Sequence, residues 1–438
     1  MTSRPLPRDL PMWRLALPMI LSNLTVPLVG MVDTAVVGRI SVADIGAVAV
    51  GATVFSFLFW TFAFVRMGTT GFAAQAHGAG DSQGLAGAGV RAYAMAIVIG
   101  CGMLILSMPI RWLGLLVVGP SEAVAPLADT YIGIRIWSAP ATLVNFVAAG
   151  WLLGVQRADL VLVLQVFINL LNVALDLLLG VVLGWGLVGV AWATVIAELS
   201  GSGISLALTA RLAAKRGAPF RLAAVRDLQA FRRIASVNTD IFLRTLIAVC
   251  TITSFTAVGA RMGELVLAAN GILMLLQTFV AYGLDGFAHA AEALVGGAVG
   301  RRDRRAFRAA VAATSRWAVL VSGFYVAGYA LFGNQIVGLI SDLPEVRQMA
   351  SIYLPWSIVL PVVSVWSFQL DGIFIGATRT RAMLVGMAIS GATFFLAMAV
   401  LVPLYGNHGL WAAYLVFMVA RAVTLGAAYP ALERTLHN

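Results

Sequence analysis

Apolar residues run through this chain in blocks separated by short polar segments, and the blocks recur from one end to the other. Twelve can be marked, at 13–38, 46–76, 88–110, 127–154, 159–182, 187–210, 234–259, 264–298, 308–331, 348–376, 382–403 and 408–430. Each is long enough for a helix to cross the roughly 30 Å apolar core of a bilayer, and several have residues to spare for tilt. The pattern predicts an all-α membrane protein of twelve transmembrane helices.

Charge follows the same punctuation. Of 438 residues, 61% are hydrophobic and 11% charged, too few charges to cover a water-soluble protein of this size. The net charge of +10 would suit nucleic acid, but the basic residues sit in short loops between apolar blocks. That is the signature of membrane topology, and no nucleic-acid partner is expected. Arg4, Arg8 and Arg14 precede span 1, Arg91 and Arg157 mark the 2–3 and 4–5 connections, and seven Lys or Arg fall between Arg211 and Arg233. Arg301, Arg302, Arg304, Arg305 and Arg308 join spans 8 and 9, and Arg379 and Arg381 join spans 10 and 11. The opposite connections offer little beyond Arg39, Arg111, Arg261 and Arg347. The positive-inside rule then places both termini in the cytoplasm, for a multi-pass protein of the inner membrane. Cys101 and Cys250 lie inside apolar blocks with no metal-ligand spacing, so neither a disulfide nor a metal is expected.

The chain also repeats itself. Residues 75–81, QAHGAGD, read like residues 297–303, GAVGRRD, at an offset of 222, which also carries Tyr131 to Tyr353 and Gly154 to Gly376. Gly186-Leu-Val-Gly189 pairs with Gly406-Asn-His-Gly409 at an offset of 220. Six spans per half is an even number, so the halves enter the membrane in the same sense, as parallel repeats about an axis along the membrane normal. The expected organisation is an N-terminal lobe at 1–210, a basic cytoplasmic linker at 211–233 and a C-terminal lobe at 234–438.

Candidate chemistry lies where polar residues interrupt apolar spans. Asp33 comes late in span 1, whose Pro18 and Pro27 remove backbone donors and favour a bend. A carboxylate at that depth is costly and marks a functional site by default. Asn169, Asn172 and Asp176 share one face of span 5, and Thr194 comes early in span 6. Counted along alternating spans, Asp33, Asn172, Asp176 and Thr194 reach one depth in the outer third. Two carboxylates in a poorly solvated place repel each other and resist ionisation. Such a pair can hold a proton and release it when water or a cation arrives, with Asn and Thr orienting it by hydrogen bonds. Arg135, early in span 4, is a cation that could neutralise one of the acids; Glu198 and Arg66 are intramembrane charges without an assignment.

The second half carries a different set. Asp240 and Arg244 are one turn apart in span 7, an ion-pair spacing. Asp285, His289 and Glu292 share a face of span 8, and Asp371 lies near the cytoplasmic end of span 10. This set predicts an ion-pair network or gate, with a second cation or substrate site as the alternative. Met and aromatic residues are mostly packing or lipid-facing, a fraction being suited to an adaptable cavity.

These residues resemble a known family. The two-times-six architecture, Pro18 and Asp33 in span 1, the run VDTAVVGRI at 32–40 and the 75–81 loop look like the multidrug and toxic compound extrusion (MATE) family. WLLGVQ at 151–156, NTDIFLR at 238–244, LDGF at 284–287 and LDGIFIGATR at 370–379 place the similarity in its DinF-like branch. The resemblance implies a monomeric, cofactor-free antiporter, not an enzyme, exporting amphipathic and often cationic compounds in exchange for protons. Sodium coupling, or flipping of lipid-like substrates on a related fold, is the alternative. It also implies that Asp33, Asn172, Asp176 and Thr194 form the cation-coupling cluster and that Pro18 is where span 1 bends. The chain departs from some relatives at Val29, where they carry a tyrosine. It also lacks the span 7 glutamate of the sodium-coupled NorM-like branch, which favours protons.

Overall fold

A computed structural model describes residues 10–38 and 41–436; the side chains of residues 10, 11, 26–29, 31 and 37 also fall outside the description. Arg4, Arg8, Arg39 and the side chains of Pro27 and Val29 therefore lie outside the described residues. What is described is helical throughout, with no strand. Fifteen α-helices follow one another: α1 (Leu10–Val37), α2 (Val42–Phe62), α3 (Phe64–Gly78), α4 (Ser82–Ile105), α5 (Ser107–Val118), α6 (Ala125–Arg135), α7 (Ala139–Gly154), α8 (Ala158–Leu175), α9 (Gly186–Lys215), α10 (Leu228–Arg261), α11 (Glu264–Arg301), α12 (Arg304–Ile340), α13 (Pro344–Gly376), α14 (Thr380–Tyr405) and α15 (Asn407–Arg434). Eleven stretches are long and apolar enough to cross a membrane, with α2–α3 and α6–α7 each forming one; α1, of 28 residues, precedes them. The twelve-helix layout is that of two six-helix bundles.

Two details differ from the expected spans. Span 3 does not continue to 110: α4 ends at Ile105 and a separate apolar helix, α5, begins at Ser107. Pro109 accounts for the break, because its ring would collide with the carbonyl of Ile105 four residues earlier. Span 5 changes its hydrogen bonding at Asp176, from which a wider turn runs to Val182 and Leu183 N–H reaches back five residues to the Leu178 carbonyl at 2.9 Å. Such wide turns are found disproportionately at functional sites.

The chain packs as two units. One contains Leu21–Asn238; the other contains Thr239 onward together with α1 up to Ile20. In the second, Trp13 meets Phe287 and Trp317 edge to face, at 5.5 and 5.0 Å between ring centres. In the first, the later part of α1 reaches α8, where Asn169 Nδ2 donates to the Thr25 carbonyl at 3.4 Å. Pro18, which leaves the Arg14 carbonyl without its helical donor, stands two residues before the change of unit. The segment between α9 and α10 is fastened to the first unit. Phe220 packs on Tyr93 and Trp151, Arg91 Nη1 donates to the Ala224 carbonyl at 3.1 Å, and Arg216 lies over the Trp151 ring.

The repeat is visible in the backbone. Asp81 caps α4 by accepting from Gly84 N–H at 2.8 Å, and Asp303, 222 residues on, caps α12 by accepting from Ala306 N–H at 2.9 Å. Gly80 and Arg302 both take left-handed backbone angles, as do Gln156 and Thr378. A Cβ on Gly150 would collide with the Arg66 carbonyl, and one on Gly372 with the Ala288 carbonyl, the same crossing of two helices in each unit.

Candidate functional site

In the unit of Leu21–Asn238, three helical segments converge on Gly180. A Cβ there would lie 3.0 Å from Val36 of α1 and 3.2 Å from Val190 of α9, so the absent side chain lets them close in. Asp33 is one turn before Val36 and Asp176 one turn before Gly180; Thr194 is one turn after Val190 on a helix running the other way. All three therefore lie on the same side of the convergence, and α8 adds Asn172 one turn before Asp176. The depth match read from the sequence thus becomes a meeting of side chains.

Asp33, Asn172, Asp176 and Thr194 are all buried, Asp176 completely. Asn172 Nδ2 donates to Thr194 Oγ1 at 3.3 Å, and Thr194 Oγ1 donates to the Val190 carbonyl at 3.3 Å. Asp33 and Asp176 lie near enough to repel each other when both are ionised. That repulsion is relieved when one of them carries a proton. As ionised groups they are poorly served: Asp33 Oδ1, both Asp176 oxygens and Asn172 Oδ1 are buried without a protein donor. Arg135 is within electrostatic reach of both acids, yet its Nη1 donates to Tyr131 Oη at 3.1 Å and its guanidinium lies 4.8 Å from the centre of the Phe55 ring. The geometry suits a group that takes up and gives back a small cation. Asn169, on the face expected to join the site, is spent on Gln165 and Thr25 instead.

The other unit holds a different constellation. Arg244 of α10 and Arg421 of α15 both donate to Asp371 Oδ2 of α13, Arg421 through Nη2 at 2.6 Å. All three are buried, and Arg421 also stacks near Phe368 and Phe417. Asp285 and Glu292 act on Arg244 through space. The expected pairing of Asp240 with Arg244 is not formed. Asp240 accepts from Thr380 Oγ1 at 3.1 Å and lies 3.5 Å from Arg381, while Arg244 turns to Asp371. Spacing along one helix placed the two on a common face; the choice of partner was made across helices. Arg421 was missed because a single arginine in span 12 carries no pattern.

A sequence profile of the MatE family matches residues 18–178 and 241–404. The chain is 44% identical over 422 residues to DNA damage-inducible protein F of Escherichia coli strain K12, covering 96% of this chain and 92% of that one. A probable multidrug resistance protein NorM from Rhizobium meliloti is 25% identical, with 94% and 91% covered. Among solved structures, a MATE protein in a bent conformation superposes with a TM-score of 0.87 at 20% identity, over 98% of this chain and 97% of that one. A multidrug resistance MATE transporter in an outward-facing conformation gives 0.86 at 20% identity, over the same shares.

Proposed function

The chain belongs to the MatE family, whose members are transporters and not enzymes, and from that premise we propose that it is a proton-coupled exporter of amphipathic, often cationic, compounds across the cytoplasmic membrane. The observation that carries the reading is the buried Asp33–Asp176 pair, three of whose four oxygens lack a protein donor.

Open to the outside, the pair takes up a proton, the local negative charge falls, and a cationic compound is held less tightly and leaves. Open to the cytoplasm, the pair loses its proton and recovers affinity for the next cation. Each tenfold difference in proton affinity between the two states supplies about 1.4 kcal/mol of coupling. Pro18 provides a point at which α1 can bend as Asp33 changes charge. The arginine-rich connections support a cytoplasmic side for both termini.

Sodium coupling is the second reading, because Asp33, Asp176, Asn172 and Thr194 all carry side-chain oxygens, the ligands a hard cation prefers. Purified protein in vesicles with an imposed pH or sodium gradient separates the two. Proton-driven export of a fluorescent cation is expected in wild type and absent in Asp33→Asn. Export that continues in that variant overturns the assignment of Asp33, and export driven by sodium alone overturns the choice of ion.

A further inference from the structure

Glu198 has no part in the cycle described so far, yet its surroundings are built. It stands one turn after Thr194 on α9. Its Oε2 accepts from Asn145 Nδ2 of α7 at 2.8 Å, and the same amide reaches its backbone carbonyl at 3.2 Å. The Thr142 hydroxyl, one turn earlier on α7, lies beside it, and Arg135 of α6 is within electrostatic reach. The wide turn after α8 brings Asp176 to α9, and α8 itself brings the apolar Ile168 against Gly201.

From Glu198 a buried polar stripe continues along α9 away from the Asp33–Asp176 pair. Ser205 Oγ donates to Asn145 Oδ1 at 3.1 Å, and Thr209 Oγ1 donates to the Ser205 carbonyl at 2.9 Å. The Thr209 and Tyr93 hydroxyls are 2.8 Å apart, and the Tyr93 ring meets Phe220 of the segment that joins α9 to α10. The stripe thus runs from the acid pair to the arginine-rich end of the unit.

The repeat says what Glu198 is not for. Its counterpart in the other unit is Met418, and that of Asn145 is Ser367. Ser367 Oγ donates to the Met418 carbonyl at 2.9 Å, the same contact between the same two helices with no acid present. Packing does not demand the carboxyl. Charge makes it conspicuous: Arg135 serves Asp33, Asp176 and Glu198 together, so full ionisation would leave two negative charges uncompensated in a poorly solvated place.

Resting on the proton reading above, we propose that Glu198 is a second proton-binding carboxyl, which receives the proton leaving the Asp33–Asp176 pair and releases it toward the arginine-rich end. The proton passes from an aspartic acid oxygen to the Glu198 carboxylate, leaving an aspartate and a neutral glutamic acid. Water at the far side then takes it as hydronium and restores the carboxylate. Chains of acids serve as proton relays in other pumps and transporters.

Glu198→Gln tests this, since the glutamine oxygen can still accept from Asn145 while nothing remains to titrate. The assay uses vesicles with a pH gradient and tetraphenylphosphonium as the probe. Export by the variant is expected to be at least about tenfold slower, a loss equal to one unit of proton affinity, and its pH profile to lose a titration. Wild-type export and pH profile in Glu198→Gln, with none in Asp33→Asn, overturn this inference and leave the assignment of Asp33 standing; export by Asp33→Asn overturns both. If Glu198→Gln does not fold, Glu198→Asp decides. Export with a displaced pH profile supports the relay, and a wild-type profile overturns it.

Discussion

The two units share a backbone plan and treat the same place in opposite ways. At the offsets of the repeat, Asp33, Asn172 and Thr194 of one unit correspond to Phe255, Phe394 and Tyr414 of the other. Phe255 meets Tyr414 at 5.5 Å and Trp411 at 4.9 Å between ring centres, and Phe394 packs on Phe417. One unit fills the position with aromatic packing and the other leaves buried oxygens without donors. The exchange runs the other way at the ion cluster: Arg244, Asp371 and Arg421 correspond to Ser22, Ala149 and Gly201. At these positions each unit thus keeps a polar cluster where the other has apolar or small residues. The difference between the two lies at the carboxylates, since Arg244 Nε and Arg421 Nε are also buried without partners. Asp371 accepts two guanidinium donors, whereas Asp33 Oδ1 and both Asp176 oxygens have no donor and Arg135 turns to Tyr131. A carboxylate held by two cations ties helices together; one without donors is ready to bind.

That contrast can be broken by measurement, and the largest effect is expected at Asp371. Asp371→Ala would strand two buried arginines, a loss of about 3–5 kcal/mol, seen as a collapse of thermal stability in detergent. Asp33→Asn removes a poorly paired buried charge, so its stability is expected to equal or exceed wild type while proton-driven export is lost. Equal destabilisation of the two variants would erase the distinction between a clamp and a site.

Next in size is a test of the shared plan. Gly150→Ala and Gly372→Ala each push a methyl into a backbone carbonyl at the equivalent helix crossing, and overpacking of this kind costs about 1–3 kcal/mol. The two melting shifts are expected to match, and a large shift in one alone would show that the units are braced differently there. The smallest effect is expected at the caps. Asp81→Ala and Asp303→Ala each remove one side-chain acceptor at a helix start, worth about 1 kcal/mol, and hydrogen exchange in the first turns of α4 and α12 should rise comparably.

Much of this was legible in the sequence, and the reason differs by feature. Twelve apolar blocks and the offset of 222 were readable because a bilayer imposes length and a duplication imposes register. The common depth of Asp33, Asp176 and Thr194 was readable because rise per residue is fixed in a helix. The Pro109 break was written in the chain but outweighed by continuous hydrophobicity. Arg421 and Glu198 were single letters without a pattern, and only the helices facing them gave them partners.

The sequence by itself determined which residues are helical, which are buried in an apolar span and which positions repeat. These follow from local sterics and from transfer out of water, and both act residue by residue. Tertiary structure alone decided that Arg244 turns to Asp371 and not to Asp240, that Asn169 is spent on Thr25, and that Asn172 meets Thr194. A hydrogen bond or ion pair needs its partner within about 3 Å, and that distance is set by where other helices pass.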